Sequence, residues 1–327
     1  MKYLQLIRYK NLLFIALIQI LMQQLIIVSI LQKYGFSTVN SSSFLYLLVI
    51  STVLIAAGGY VLNDYFDVKI DTINHPEKLL VGKLIPKQQV MLIYQGLTTV
   101  GFLIGLLLSY LNRSLTLALV YIAVTGLLWF YSASYKRQFL IGNLVVSVLA
   151  ALTILIVGIL GMAQLKLLYS DLLYETPLPQ EIYAWIGGFA IFSFLTTWIR
   201  EIIKDMEDEH GDRESECRSI PIVWGFGKSK IIVISLIFIT ISLLLLANSL
   251  YIPFEGNLTL KYIIFGIIFP FILLVFLLVK AKNTVEYNQC SQLTKVIMLV
   301  GVLYSLIFYF LMAKTYGLLL FNLFYVK

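Results

Sequence analysis

Two segments of the 327-residue chain carry aspartates at the same spacing: Asp64, Asp67 and Asp71 in the first, Asp205, Asp208 and Asp212 in the second. Both read D-x-x-D-x-x-x-D, and Asn63 precedes the first. On a helix, positions i, i+3 and i+7 share a face, so each segment predicts three carboxylates in a row. Like charges side by side repel, and at a membrane boundary such a row is stable only with cations among its members. Carboxylate oxygens with coordination positions left over suit Mg²⁺, which keeps waters and commonly completes its shell with phosphate oxygens. Two facing rows therefore predict a grip on a metal-bound diphosphate. One row alone would read more readily as solvated loop acids of a transporter or scaffold; its repetition favours the metal.

The elements that must position these rows are membrane helices. Hydrophobic residues make up 60% of the chain and charged residues 13%, against roughly 45–50% and about 25% in soluble domains. This composition excludes a disordered chain and argues against a soluble enzyme. Apolar runs long enough to cross a bilayer recur throughout. Nine spans are predicted, over 11–32, 44–63, 88–110, 114–131, 140–162, 182–200, 230–250, 261–280 and 294–313. The expected fold is all-α and polytopic, with about nine transmembrane helices around a central cavity. A tenth apolar stretch, 316–326, is too short to span and is expected to extend the ninth helix or lie at the interface. Residues 1–10 read as an interfacial lead-in. The first span has no small-residue cleavage site, so it is expected to stay as a membrane helix rather than a signal peptide. Cys217 and Cys290 form no metal or redox pattern.

Basic residues set the expected orientation. The N-terminus and the connections 64–87, 132–139, 201–229 and 281–293, with their helix-flanking residues, hold 18 of the 24 Lys and Arg: Lys2, Arg8, Lys10, Lys69, Lys78, Lys83, Lys87, Lys136, Arg137, Arg200, Lys204, Arg213, Arg218, Lys228, Lys230, Lys280, Lys282 and Lys295. This asymmetry places that side in the cytoplasm and, with nine spans, the C-terminus outside. It accounts for the net charge of +7 without nucleic acid. It does not account for the acids. Of 17 Asp and Glu, 12 lie on this side in the two aspartate segments: Asp64, Asp67, Asp71 and Glu77, then Glu201, Asp205, Glu207, Asp208, Glu209, Asp212, Glu214 and Glu216. Lys136 and Arg137, after Tyr131-Ser132, and Arg200 and Lys204, before the second row, are candidates to neutralise phosphate oxygens; membrane-flanking charge is the alternative for each. His75 and His210 read as loop residues rather than a zinc site.

The stretch NDYFDVKIDTINHPEK, 63–78, resembles the first signature of the UbiA superfamily of intramembrane prenyltransferases, and REIIKDMEDEHGD, 200–212, resembles its second. The second is most similar to the branch of digeranylgeranylglyceryl phosphate synthase-like members. Arg8-x-x-Asn11 and Tyr131-Ser132 leading to Lys136 also match. The resemblance runs from about residue 8 to the ninth span. The chain departs from it at Lys78-Leu79, where the family often has Arg-Pro, and at Glu216, where it often has Gly; Arg218-Ser219-Ile220-Pro221 is similar to the usual R-T-L-P.

The resemblance implies one domain over 1–327, with two pseudo-repeated halves that each carry an Asp-rich motif. It implies an enzyme of the bacterial or archaeal cell membrane. Asp64, Asp67, Asp71, Asp205, Asp208 and Asp212 would hold Mg²⁺ on the diphosphate of a polyprenyl donor, with Asp64, Asp67, Asp208 and Asp212 catalytic. Asn63, Arg8, Asn11, Lys136, Arg137, Arg200 and Lys204 would contact the diphosphate. The acceptor would be lipophilic: a geranylgeranylglyceryl phosphate-like lipid first, an aromatic quinone precursor second. A cation-selective transporter is the non-enzyme alternative, but transporters place ionisable groups mid-span, whereas these rows lie at helix ends. The D-x-x-D-G-x-x-A-R motif of CDP-alcohol phosphotransferases is absent.

Overall fold

A computed structural model describes residues 1–36, 42–74, 76–77, 79–320 and 324–325. A short α1 (Lys2–Leu6) precedes the first span. Among the described residues nine helices are long and apolar enough to cross a bilayer: α2 (Tyr9–Lys33), α3 (Ser43–Phe66), α5 (Lys87–Leu111), α6 (Leu115–Ala133), α7 (Ile141–Tyr169), α8 (Leu178–Glu207), α10 (Ile220–Leu250), α11 (Leu258–Lys280) and α12 (Thr284–Tyr316). Two short helices, α4 (Val68–Asn74) and α9 (Glu209–Glu214), follow the second and sixth spans. The architecture is the expected polytopic helical bundle, and its composition makes the chain an integral membrane protein.

Helix α8 is the organising strut and packs against α7, α10 and α12. Small residues let helices approach closely where there is no water to drive them together. A Cβ on Gly105 of α5 would meet the Tyr121 ring at 2.5 Å. The hydroxyl of that buried tyrosine lies 2.6 Å from Ser51 of α3, which joins α3, α5 and α6. In α2 the buried Gln19 amide donates to Thr52 of α3 and to the Thr153 carbonyl of α7, each at 3.1 Å. A π-helical stretch, Met22–Ile27, follows one turn later. A second, Ile263–Ile268, runs up to Pro270, whose ring cannot continue the regular hydrogen-bond ladder.

Three expectations about boundaries change. The seventh span begins at Ile220, not 230, because a short helical lead precedes a break at Gly225, whose φ of 79° suits glycine. The ninth begins at Thr284, not 294, where the Asn283 side chain caps it by accepting from Glu286 N–H at 3.0 Å. The stretch after 316 does not extend that helix: Gly317 turns left-handed with φ 65°, and Leu319–Leu320 pairs with Phe324–Tyr325 as a short antiparallel hairpin. The N-terminal lead-in also does more than lie at an interface. Leu6 is buried with Val61, Val81, Ile85 and Val90, and Lys2 donates to the Leu84 carbonyl at 3.2 Å, so α1 covers the loop after the first aspartate row.

Candidate active site

Each aspartate row straddles a helix end, and its middle residue is the break. Helix α3 stops at Phe66 and α4 starts at Val68, leaving Asp67 between them; α8 stops at Glu207 and α9 starts at Glu209, leaving Asp208 between them. This corrects the expectation of one unbroken helix per row. Aspartate competes with its own backbone for hydrogen bonds and favours such ends, and Asp208 has φ −94° and ψ 5°. The i to i+4 bonding nevertheless bridges both breaks. Asp67 N–H donates to Asn63 and Asp71 N–H to Asp67, at 2.9 and 2.8 Å; Asp208 N–H donates to Lys204 and Asp212 N–H to Asp208, at 2.9 and 3.1 Å. The rows bend without losing their common face.

The two rows meet. Asn74, at the end of α4, donates from Nδ2 to the Asp208 carbonyl at 3.0 Å and accepts from Gly211 N–H at 2.9 Å through Oδ1. A Cβ on Gly211 would lie 2.5 Å from the Asn74 side chain, so only glycine leaves room for this clasp. Lys136, from the turn Tyr135–Arg137 between α6 and α7, reaches into the junction. Its ammonium pairs with Asp67, which is buried, and lies within electrostatic reach of Asp212. That turn is fixed by Gly142 beneath it and by Arg218 N–H donating to the Arg137 carbonyl at 2.9 Å. Removing the clasp with Asn74→Ala strands a backbone carbonyl and an amide, at a cost of about 1–3 kcal/mol each where buried. The expected result is loss of register between the rows and at least a tenfold fall in Mg²⁺-dependent turnover, checked by metal titration of initial rates. Gly211→Ala should reproduce it.

The remaining expected residues take distinct places. Arg8 caps α2 in a left-handed conformation (φ 52°), uncommon for a residue other than glycine, and bonds Asp64 at 2.7 Å with Tyr60 beneath its guanidinium. Asn11 lies beside Tyr60. Asn63 donates to Asp67 at 2.6 Å, Lys204 to Asp208 at 3.1 Å. Arg200 is bonded at 2.5 Å to Glu201 rather than to an aspartate. The Arg137 side chain is exposed and serves the site here through its backbone. His75 and Lys78 lie outside the described residues. Glu216 has a φ of 58°, the conformation that favours the glycine often found there in the resembling family.

Asn74 stands in the first signature stretch without being a candidate site residue there, and Asn143 of α7, which donates to Asp205 at 2.9 Å, lies outside both signatures. A lone amide within an otherwise apolar span was the available signal for Asn143. Burial, together with the charge of Asp67, raises the Asp71 carboxyl to about 6. Burial also raises Asp212 to about 6, with Lys136 opposing and Asp208 and Asp67 reinforcing the shift. Burial works against the Lys136 charge, but Asp67 and its neighbours hold that ammonium above the ordinary lysine range. Among the described residues no three carboxylates already close around one point; Asp64, Asp67 and Asp208 are each held by a cation and Asp205 by an amide. The donor set is nonetheless all oxygen. Asn63 Oδ1, beside Asp67, is a buried acceptor with no partner. Hard oxygen donors crowded together, with an acceptor to spare, fit Mg²⁺.

The profile of the UbiA prenyltransferase family matches residues 26–296. The chain belongs to the UbiA prenyltransferase family. Digeranylgeranylglyceryl phosphate synthase of Methanosphaera stadtmanae is 30% identical over 252 residues, covering 76% of this chain and 82% of its own. That of Saccharolobus solfataricus is 32% identical over 234 residues, covering 71% and 73%. Among solved structures, one concerned with digeranylgeranylglyceryl phosphate synthase in membranes superposes with a TM-score of 0.63 at 23% identity, over 94% of this chain and 97% of that one. A UbiA homologue from Archaeoglobus fulgidus bound to GPP and Mg²⁺ superposes with a TM-score of 0.54 at 14% identity, over 92% and 98%. These superpositions establish the UbiA fold. The chain is a membrane-embedded UbiA enzyme that transfers prenyl groups.

Proposed function

We propose that this UbiA enzyme joins a polyprenyl diphosphate to the hydroxyl of a glycerophosphate lipid, with Mg²⁺ on the diphosphate. The observation that carries the reading is the clasped pair of rows, with Lys136 between Asp67 and Asp212. The likeness to digeranylgeranylglyceryl phosphate synthases supports the acceptor class. Asp64, Asp67 and Asp71 from one half of the chain, and Asp205, Asp208 and Asp212 from the other, are the residues that would hold Mg²⁺, with Asn63 Oδ1 as a further oxygen. Bound there, Mg²⁺ neutralises charge on the diphosphate and so eases departure of that group.

The chain's own cations share this work. Lys136, Arg8 and Lys204 are positioned to exchange their carboxylate partners for diphosphate oxygens, where charge grows as the donor C–O bond breaks. The acceptor oxygen forms the new C–O bond to the allylic carbon, and its proton leaves on the released diphosphate. Apolar helices around the tail keep water from the allylic cation. The basic flanks favour a cytoplasmic N-terminus and cytoplasmic aspartate rows, with the C-terminus outside.

The test offers purified protein geranylgeranyl diphosphate together with geranylgeranylglyceryl phosphate and an aromatic quinone precursor, with Mg²⁺ or with EDTA. Mass spectrometry of the lipid should find the ether product only with Mg²⁺. A prenylated aromatic as the main product would overturn the acceptor assignment. Product formation undiminished by EDTA would overturn the metal role.

A further inference from the structure

Lys295 is the basic residue that the aspartate site leaves over. It lies in α12, opposite Arg200 of α8: these helices run side by side, with Phe192 against Gly301 and Glu207 bonded to Asn288 at 2.7 Å, and Lys295 and Arg200 fall at matching levels between those contacts. Arg200, Lys204, Glu207 and Arg8 all stand within electrostatic reach of its ammonium. Three of these four are cations, and each already has a carboxylate: Glu201 for Arg200, Asp208 for Lys204 and Asp64 for Arg8. The one nearby acid, Glu207, is bonded to Asn288. Among the described residues Lys295 itself makes no ion pair or hydrogen bond.

Lys295 is exposed at the aspartate end of α12, and an ammonium facing like charges gains from an anion that joins it. Two more donors on this part of α8 also lack acceptors. Arg200 Nε is buried and unbonded, although the same guanidinium holds Glu201 through NH1. Thr197, one turn deeper on the same face, is buried and its hydroxyl has no partner. Arg200 lies eight residues before Asp208, about 12 Å along the helix. An anion held at this level would lie beside a diphosphate held at Asp208, with Lys204 between the two.

We propose that Lys295 and Arg200, with the Thr197 hydroxyl, form a second anion subsite that takes the phosphate monoester of the lipid acceptor. This rests on the acceptor class given above and reassigns Arg200 from the donor diphosphate to the acceptor. A phosphate here sets the acceptor's polar end beside the donor and leaves its tail among the apolar helices. It also explains why cations gather on the α2–α8–α12 side of the aspartates. A neutral acceptor of the same length would leave Lys295 uncompensated.

The test separates the two Michaelis constants in the full-length protein, with geranylgeranylglyceryl phosphate and its dephosphorylated alcohol as alternative acceptors. Lys295→Gln should raise KM for the phosphorylated acceptor at least tenfold and leave KM for geranylgeranyl diphosphate within twofold, which also reports an intact fold. The same variant should lose the wild-type preference for the phosphorylated acceptor. Lys295→Arg should restore both, and Thr197→Val should raise the acceptor KM alone. An unchanged acceptor KM in Lys295→Gln, or a rise in the donor KM instead, would overturn the subsite while leaving the prenyl-transfer reading in place. A wild-type enzyme that prenylates only the dephosphorylated acceptor would overturn the glycerophosphate reading, and the subsite with it.

Discussion

Replacing Asp67 by Asn is expected to reduce prenyl transfer at least a thousandfold, with the protein still inserted and folded. A thousandfold corresponds to about 4 kcal/mol of transition-state stabilisation. Three features of Asp67 support so large an effect. It is 3% exposed, it accepts from Asn63, and it pairs with the Lys136 ammonium. The substitution keeps the side-chain volume and removes the charge. It therefore takes one anionic oxygen from the proposed metal set and leaves Lys136 without its main partner. Asp208→Asn should act likewise, because Asp208 holds the matching position in the other row, bonded to Lys204. Turnover of labelled donor in membranes, read beside protein level and detergent-solubilised elution profile, checks both.

Lys136→Met is expected to cost about a hundredfold to a thousandfold, the range for removing one preorganised donor to a developing negative charge. Lys136 belongs to neither signature row, yet it bonds Asp67 in the first and lies within reach of Asp212 in the second. The elevated basicity of its ammonium keeps it charged throughout the working pH range. Its loss should therefore lower the rate at every pH and, because Lys136 opposes the upward shift of Asp71 and Asp212, move their acid-side step to higher pH. Lys136→Arg keeps the charge and should recover most of the activity. A pH–rate profile of the three proteins checks the claim; a Lys136→Met deficit that vanishes at one end of the profile would oppose it.

Much of this site was legible because its chemistry is repeated in the sequence. The spans stand out as long apolar runs almost free of charge, and the aspartates stand out against them. Other features left weaker traces. The breaks at Asp67 and Asp208 depend on where each helix leaves the bundle, and an i, i+3, i+7 pattern cannot report a bend that preserves it. The Asn74 clasp joins residues 134 and 137 positions apart. Both partners stand inside the two signature stretches, Asn74 in 63–78 and Gly211 in 200–212, but nothing in either stretch says that they touch. Lys295 was hidden among membrane-flanking basic residues, because its meaning depends on Arg200 of another helix. Gly225 looked like one glycine in a Trp-Gly-Phe-Gly run until its φ of 79° placed the break in α10. Glu216 shows the converse: a residue in place of the usual glycine, still held at φ 58° by the loop around it.

Joint action of the two rows is tested most directly by Mg²⁺-dependent binding of a non-ionisable thiolo analogue of geranylgeranyl diphosphate. Calorimetry would compare the wild type with Asp67→Asn, Asp208→Asn and the double variant. Each single variant should lose the metal-dependent part of the affinity, and the double variant should bind no more weakly than either one, because both rows grip the same ion cluster. Losses that add in the double variant, or one row whose change leaves metal-dependent binding intact, would contradict a shared site.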